Sequence, residues 1–523
     1  MNYEKTSGIF TLPSPTLGIA CVDFPQDCFT VFFERIEKNF NSVTTGESDI
    51  LINKKSTYDA EEYDLTVTES SIKINASTSQ GVIMALTTLY LMVNKDGSIP
   101  CCKAHDKPRY SHRGLSFDCA RQFFSTETVK NVIEQMARVK LNTLHWHLSD
   151  DQAWRIESKQ FPKLHSLYGD NFYTQDEIKE IVHFAYLRGI EIVPEIDMPG
   201  HTTGILSAYP EFSCSGKEVS PAVYGGVYTI VLCAGSEKTY TFINNVLDEV
   251  CSLFPSSRFH IGGDEVPKHE WRNCSVCQKK MQEQNLTDEI QLQGYFSNRI
   301  IEMFKKHNKH AICWNDSLEA ANFDRNATVQ YWTVQHEDSM PAFIYNSGKV
   351  IYSEMFTFYF DYPHSMTPLR RVYNDPLVIL NNECSDLIIG LEAALWAEHI
   401  PTAERLGEMI FPRIYAVAER GWSFECNYED FITRLNTFME NNHVSEVSNT
   451  PQSGWDPVGQ ARQQETLAHM GVMSKAMPPE VRNETMKNVT LNKTFQDKFN
   501  QCFFVLEEDA PILMAMSNAQ QGG

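Results

Sequence analysis

The stretch Arg258-Phe-His-Ile-Gly-Gly-Asp264-Glu265 decides how this chain is read. A short apolar run stops at a Gly-Gly pair, and two adjacent carboxylates follow. Glycines there leave room for a ligand or for unusual backbone angles. Adjacent residues at a strand end point to opposite sides, so one carboxylate can face a ligand while its neighbour turns differently into the same pocket. An isolated Asp-Glu pair is ordinarily a solvated acidic turn. The weight of this one depends on whether the same unit, a strand that ends on chemistry, recurs.

From Arg113 onward the pattern is strand, loop and helix, repeated. Gly114–Phe117 is a first strand, followed by a helix capped by Ser125; Leu141–His147 is a second. Thr174 caps the helix leading to the third, Ile190–Ile196. Phe259–Ile261 is the fourth, Ala311–Trp314 the fifth, Thr328–Trp332 the sixth and Val350–Ser353 the seventh. Either Leu387–Leu391 or Ala393–Trp396 supplies an eighth. Eight short strands separated by helical stretches predict an α/β fold, a (β/α)8 TIM barrel. A doubly wound sheet is the alternative, but it wants a glycine-rich phosphate loop after its first strand, and none is present.

Barrel chemistry sits at the C-terminal ends of the strands, and the polar and aromatic residues concentrate there. Asp118 and Arg121 follow strand one; His145, His147, Asp150 and Asp151 close strand two; Asp197 and His201 follow strand three. Asp264 and Glu265 follow strand four, Trp314 ends strand five and Trp332 strand six. Tyr359 and Asp361 follow strand seven, and Trp396 with Glu398 closes strand eight. Each alone has a plain structural account: a strand-end Trp packs, a strand-end Asp caps a helix, an Arg pairs at the surface. Together they suit a pyranose, whose apolar faces stack on aromatics and whose hydroxyls take charge-assisted hydrogen bonds. Paired carboxylates are the usual equipment for cleaving a glycosidic bond.

Ahead of the barrel, residues 1–106 read as a small α+β unit, with hairpin strands at Tyr63–Val67 and Ser71–Asn75 and a helix over Gly81–Val93. Lys107-Pro108 marks a boundary, 107–445 the barrel, and 446–523 a C-terminal extension with a helix near Gly459–Met473. At 523 residues two domains are expected, 42% hydrophobic residues suffice for a large core, and a net charge of −22 argues against nucleic acid or anionic membrane as the partner. No apolar run is long enough to span a bilayer, and Met1-Asn-Tyr-Glu-Lys is not a signal peptide: the protein is cytoplasmic or a leader has been removed. Fourteen cysteines can mean disulfides. Cys274-x-x-Cys277 has no second Cys-x-x-Cys or His-x-His downstream, which argues against zinc. Glycosylation sequons at Asn75, Asn273, Asn285, Asn315, Asn326, Asn483, Asn488 and Asn492 lean towards a secretory route.

Five segments, Arg113–Arg121, His145–Arg155, Glu195–His201, His260–Glu265 and Ala394–Glu398, closely resemble glycoside hydrolase family 20, the β-N-acetylhexosaminidases, and run in family order. The resemblance implies an exo-acting retaining enzyme on terminal β-linked GlcNAc or GalNAc, with a glycan as partner and no cofactor or metal. It implies lysosomal or secreted placement with the cytoplasm left open, and homodimerisation as a frequent state of relatives. It assigns Glu265 as general acid/base, Asp264 as the residue orienting the 2-acetamido group, and Tyr359 as the donor to the acetamide oxygen. Trp314, Trp332 and Trp396 match the pocket walls, Arg121, Asp361 and Glu398 the hydroxyl ligands, and Asp150, Asp197, His147 and His201 the supporting relay. Ala153 and Asn315-Asp316 depart from the commoner family residues. The chemistry implied is substrate-assisted: the acetamide oxygen attacks the anomeric carbon. Asp264 is then expected ionised and Glu265 raised in pKa. Two rivals stand: a metal-dependent barrel hydrolase using His145-x-His147, and a glycan-binding protein that has lost catalysis.

Overall fold

The computed structural model describes residues 2–13, 15–21, 23–42, 48–380, 382–441 and 450–476; the sequons at Asn483, Asn488 and Asn492 lie outside them. Seven strands come first: β1 (Asn2–Thr11), β2 (Thr16–Cys21), β3 (Asn39–Ser42), β4 (Ile50–Lys54), β5 (Tyr63–Val67), β6 (Ile72–Ala76) and β7 (Ser98–Asp106). They form one sheet in the order β1-β7-β5-β6-β4-β2-β3. β5 and β6 are the antiparallel hairpin their alternation predicts, Tyr63 opposite Ala76 and Val67 opposite Ile72. Tyr63, Leu65, Val67, Ile72, Ile74 and Ala76 are buried in one apolar cluster with Phe29 and Phe32 of the helix Asp27–Arg35 and Val82 and Leu86 of the helix Ser79–Met92.

The barrel consists of β8 (His112–Asp118), β9 (Thr143–His147), β10 (Glu191–Glu195), β11 (Arg258–His260), β12 (His310–Trp314), β13 (Thr328–Tyr331) and β14 (Val350–Tyr352). A two-residue hairpin intervenes, β15 (Val378–Ile379) with β16 (Asn382–Glu383), and β17 (Gly390–Leu395) closes the circle. β17 runs across both candidates for the eighth strand. Its outer residues Leu391, Ala393 and Leu395 join the core under the helices, while Glu392 is buried among the polar groups of the barrel interior. Both helix caps hold: Thr128 N–H donates to Ser125 Oγ at 3.2 Å, and Thr174 with Glu177 makes a reciprocal capping box.

The sheet unit covers the N-terminal end of the barrel, opposite the rim. Arg113, at the start of β8, donates Nη1 and Nη2 to the two Glu61 oxygens at 2.9 and 2.7 Å. Trp422 enters the apolar cluster of the sheet and donates Nε1 to Asp106 at 2.9 Å. Lys140 lies 4.0 Å over the Trp422 ring and donates to Tyr63 Oη at 2.8 Å, and burial draws its ammonium down to about 8. This junction leaves the opposite end of the barrel open for chemistry.

The described part of the C-terminal extension is packed on the barrel. Trp455 is buried, and the helix Gly459–Ala476 docks on the loop after β14: Ser365 N–H donates to Glu465 at 3.0 Å and Arg462 Nε to Ser365 O at 3.1 Å. Among the described residues no helix is long and apolar enough to cross a membrane. The thirteen described cysteines are all free thiols, so the disulfide expectation has no counterpart among them.

Candidate active site

The Asp264–Glu265 pair is not displayed by strand alternation, as the sequence suggested. β11 ends at His260, and the pair sits on a turn in which Gly262, Gly263 and Glu265 have φ of +65°, +93° and +47°. Only glycine fits position 262: a Cβ would stand 1.7 Å from Asp197 Oδ1. Asp197 accepts the Gly263 N–H at 3.0 Å, and Asp316 Oδ1 accepts the Glu265 N–H at 3.1 Å. These two bonds over-determine a left-handed backbone that a glutamate disfavours. The result is that both carboxylates face one imidazole: His201 Nε2 lies 3.8 Å from Asp264 Oδ2 and 3.5 Å from Glu265 Oε2. Asp264 is the deeper, its side chain 13% exposed against 37% for Glu265.

Behind His201 runs a chain of charges. Its Nδ1 lies 3.3 Å from Asp150 and 3.1 Å from Asp151, and Asp150 also meets Arg121 Nη2 and His147 Nε2, each at 2.8 Å. Asp150 is therefore held far below the usual carboxylate range, against its burial, chiefly by Arg121 and His201. His147 and His201 are raised well above an ordinary histidine by these carboxylates. His145 lies between Glu392 at 2.8 Å and Glu195 at 3.0 Å, and is pushed up to about 9 by those two charges acting against desolvation. Both nitrogens of His145 and of His147 thus face carboxylates. Each ring nitrogen is already engaged by a carboxylate, which is the physical objection to the His145-x-His147 reading.

Aromatic residues wall the space above the pair. Trp332 stacks parallel to Tyr359 with centroids 6.0 Å apart; Trp396 stands 5.7 Å from Trp314 and 6.0 Å from Tyr359. Two of these rings are anchored by their indole N–H: Trp314 Nε1 donates to Glu195 at 3.0 Å and Trp332 Nε1 to Asp316 at 2.7 Å. The Arg121 guanidinium lies 5.0 Å over Trp396 and points Nε towards Glu398 at 3.9 Å. Arg121 Nε, Asp264 Oδ1, His201 Nε2 and Asp361 Oδ1 are buried without a hydrogen-bond partner among the described residues. Buried polar atoms are ordinarily hydrogen-bonded, so four without a hydrogen bond on an aromatic-lined rim, two of them facing a carboxylate only at 3.5 and 3.9 Å, mark where a polar ligand's groups would be received.

The electrostatics differ from expectation at Asp264. Burial, with Asp316 and Glu265 adding negative charge, pushes its carboxyl up to about 7, with His201 opposing. Asp197 and Asp361 are likewise raised well above the usual range by burial first and then by Asp264 and Glu398 respectively. The sequence shows how many carboxylates the rim holds, but not that Asp264 lacks a close donor. Asp316, noted only as a departure, emerges as a tie between Trp332 and the Glu265 backbone. Glu195 and Glu392 were missed as organisers; the signal available was a charged residue inside an apolar strand. The sequon at Asn315 is not a surface site: its amide is buried, donates to Thr333 O at 2.9 Å and accepts the Trp332 N–H at 3.0 Å.

A closed parallel barrel whose rim gathers paired carboxylates, aromatic walls and buried polar atoms without hydrogen bonds has the layout of a (β/α)8 enzyme, with its site at the C-terminal ends of the strands. Residues 110–425 match the family model "Glycosyl hydrolase family 20, catalytic domain", and residues 32–107 match "Glycosyl hydrolase family 20, domain 2". The chain belongs to glycosyl hydrolase family 20. It is 37% identical over 363 residues to a β-hexosaminidase of Porphyromonas gingivalis, covering 65% of this chain and 46% of that one. To a β-hexosaminidase of Vibrio furnissii it is 34% identical over 413 residues, covering 72% and 67%. This chain therefore spans less than half the length of the first relative and about two thirds of the second. A solved β-N-acetylhexosaminidase structure from Bacteroides fragilis aligns with a TM-score of 0.78 at 29% identity, covering 86% of this chain and 96% of that one.

Proposed function

We propose that this protein is an exo-acting, retaining β-N-acetylhexosaminidase that removes terminal β-linked GlcNAc or GalNAc by substrate-assisted catalysis. The observation carrying the reading is the convergence of Asp264, Glu265, His201, Tyr359, Trp314, Trp332 and Trp396 on one rim, with buried polar atoms without hydrogen bonds among them. Glu265, the more exposed carboxyl, donates its proton to the glycosidic oxygen. The acetamide oxygen attacks the anomeric carbon as that bond breaks, giving an oxazolinium. Asp264 accepts the acetamide N–H and, once ionised, stabilises the positive charge developing beside it. Tyr359 and the tryptophans hold the acetamide in attacking position. Glu265 then takes a proton from the incoming water, and configuration is retained. Arg121, Asp361 and Glu398 bind the ring hydroxyls. A lysosomal or secreted location and a homodimer are the corresponding expectations for placement and assembly.

The test is Glu265→Gln beside Asp264→Asn on chromogenic β-N-acetylglucosaminide, β-N-acetylgalactosaminide and β-glucoside. Both variants should lose at least about 10²-fold in kcat, the scale of one lost acid/base or electrostatic partner. The wild type should scarcely touch the glucoside. Near-normal rates in both variants, or comparable turnover of the sugar without the acetamide, would sink the mechanism.

A further inference from the structure

Cys274-x-x-Cys277 was expected to lack partners because none follows it; its partners lie upstream. Cys214 and Cys233, on the long segment between β10 and β11, come together with Cys274 and Cys277 at the junction of the helices His269–Asn273 and Ser275–Glu283. Cys214 Sγ is 3.7 Å from Cys277 Sγ, Cys233 Sγ is 3.7 Å from Cys277 Sγ and 3.9 Å from Cys274 Sγ, and all four sulfurs lie within 4.8 Å of one another. Cys233, Cys274 and Cys277 are buried.

We propose that these four cysteines form a closed structural site for one Zn2+. The sulfurs of a tetrahedral zinc tetrathiolate, with Zn–S of about 2.3 Å, stand about 3.8 Å apart, which is the spacing of the Cys214–Cys277, Cys233–Cys277 and Cys233–Cys274 pairs. Disulfide pairing gives each sulfur one partner at about 2.05 Å, whereas Cys277 and Cys233 each have two sulfur neighbours in the first range. The backbone is shaped around the cluster. Gly235 directs its N–H at the Cys233 sulfur. A Cβ on Gly235 would stand 2.4 Å from Val276 O, so the Cys233-Ala-Gly235 turn lies directly on the Cys274–Cys277 loop. Each thiol that ligates gives up its proton to solvent.

Four protein ligands leave no open position, so the ion's role is to hold structure rather than to activate water. What it holds borders the sugar pocket. One strap is the segment carrying Cys214 and Cys233; Tyr224 O on it accepts from Gln152 at 2.7 Å, and Gly225 packs against Glu398. The other strap begins just past Glu265, where Trp271 Nε1 donates to Leu232 O at 3.0 Å. Zinc would clamp the wall beside Glu398 to the segment that leaves the carboxylate pair.

The full chain, purified without chelator, should carry about one zinc by mass-spectrometric metal analysis, and its X-ray absorption should fit four sulfurs near 2.3 Å. Cys277→Ser should lose the zinc, whereas Cys251→Ser, outside the cluster, should keep it. Under native conditions the four thiols should resist N-ethylmaleimide until a strong chelator is added. A wild-type zinc content below about one tenth, an oxygen- or nitrogen-dominated shell, or disulfide-linked peptides joining these cysteines would overturn the proposal. The wild-type measurements decide it even if the serine variant fails to fold.

Discussion

Gly262→Ala tests whether the turn under the carboxylate pair depends on a missing Cβ. The added carbon would sit 1.7 Å from Asp197 Oδ1 and 2.8 Å from Asp197 Cα, with φ at +65°. The left-handed conformation costs an alanine about 1–2 kcal/mol. Asp197 must also move, which abandons the 3.0 Å bond to Gly263 N–H; a buried unpaired N–H costs about 1–3 kcal/mol. The total, about 2–5 kcal/mol, falls on the segment that positions Asp264 and Glu265. Part of it will be relieved by displacement, and a shift of about 1 Å in a reacting group costs on the order of 10²-fold in rate. Steady-state turnover of a chromogenic N-acetylglucosaminide, with a thermal melt alongside, should show kcat down about 10²-fold and Tm lowered by several degrees. Gly471→Ala, in a helix with open space around the added carbon, is the control and should hold or raise Tm. Wild-type kcat and Tm in Gly262→Ala would refute the argument.

Three further outcomes are expected. In the proposed mechanism Asp264 acts as the carboxylate, and it is held up at about 7, so kcat/KM, which reports the free enzyme, should fall as pH drops through about 7. The matching limb of kcat should lie lower, because the acetamide N–H favours the carboxylate; coincident limbs would contradict this. Asp316→Asn removes one charge raising Asp264 and weakens the ties to Trp332 and the Glu265 N–H. It should move the kcat/KM limb to lower pH and cut kcat roughly 10-fold, and an unmoved limb would clear Asp316 of that role. Chemical denaturation across pH reads the buried lattice. His145 is raised to about 9, so its stabilisation is full below about 6.5 and is lost as pH rises through about 9. Glu392 is depressed, so its share is present above about 4.5 and is lost on acidification. Stability should plateau between these limits, and flat stability from pH 6.5 to 9 would count against the His145 ion pairs.

Most of the barrel was legible because its strands are short, apolar and punctuated, so that β8 to β14 fall where the pattern puts them. The eighth was ambiguous because Gly390–Leu395 places one interior glutamate in an otherwise apolar strand, which breaks the run without ending the strand. Rim residues could be picked out individually, since strand ends are where barrels keep chemistry. How Asp264 and Glu265 are presented was not legible: it depends on positive φ at three of four consecutive residues and on a clash that exists only once Asp197 is in place. The sulfur cluster escaped for a related reason. Its members are separated by up to 63 residues along the chain, and a search that looks only downstream of a Cys-x-x-Cys cannot see a partner that precedes it.

The helix Gly459–Ala476 has a consequence for anyone tethering this protein. His469 faces Tyr362 and His399 at about 6 Å, next to Asp361 and Glu398, and Met470 packs on the aromatic cluster of Tyr359 and Trp396. A bead, carrier or reporter inserted after residue 476, ahead of the 47 residues that follow it in the chain, would start about 10 Å along the helix from His469. A small chromogenic sugar would slip past such cargo and report full activity, while a branched glycan would be shut out. The same cargo joined at residue 2, on the sheet unit at the far end of the barrel, would leave both substrates untouched.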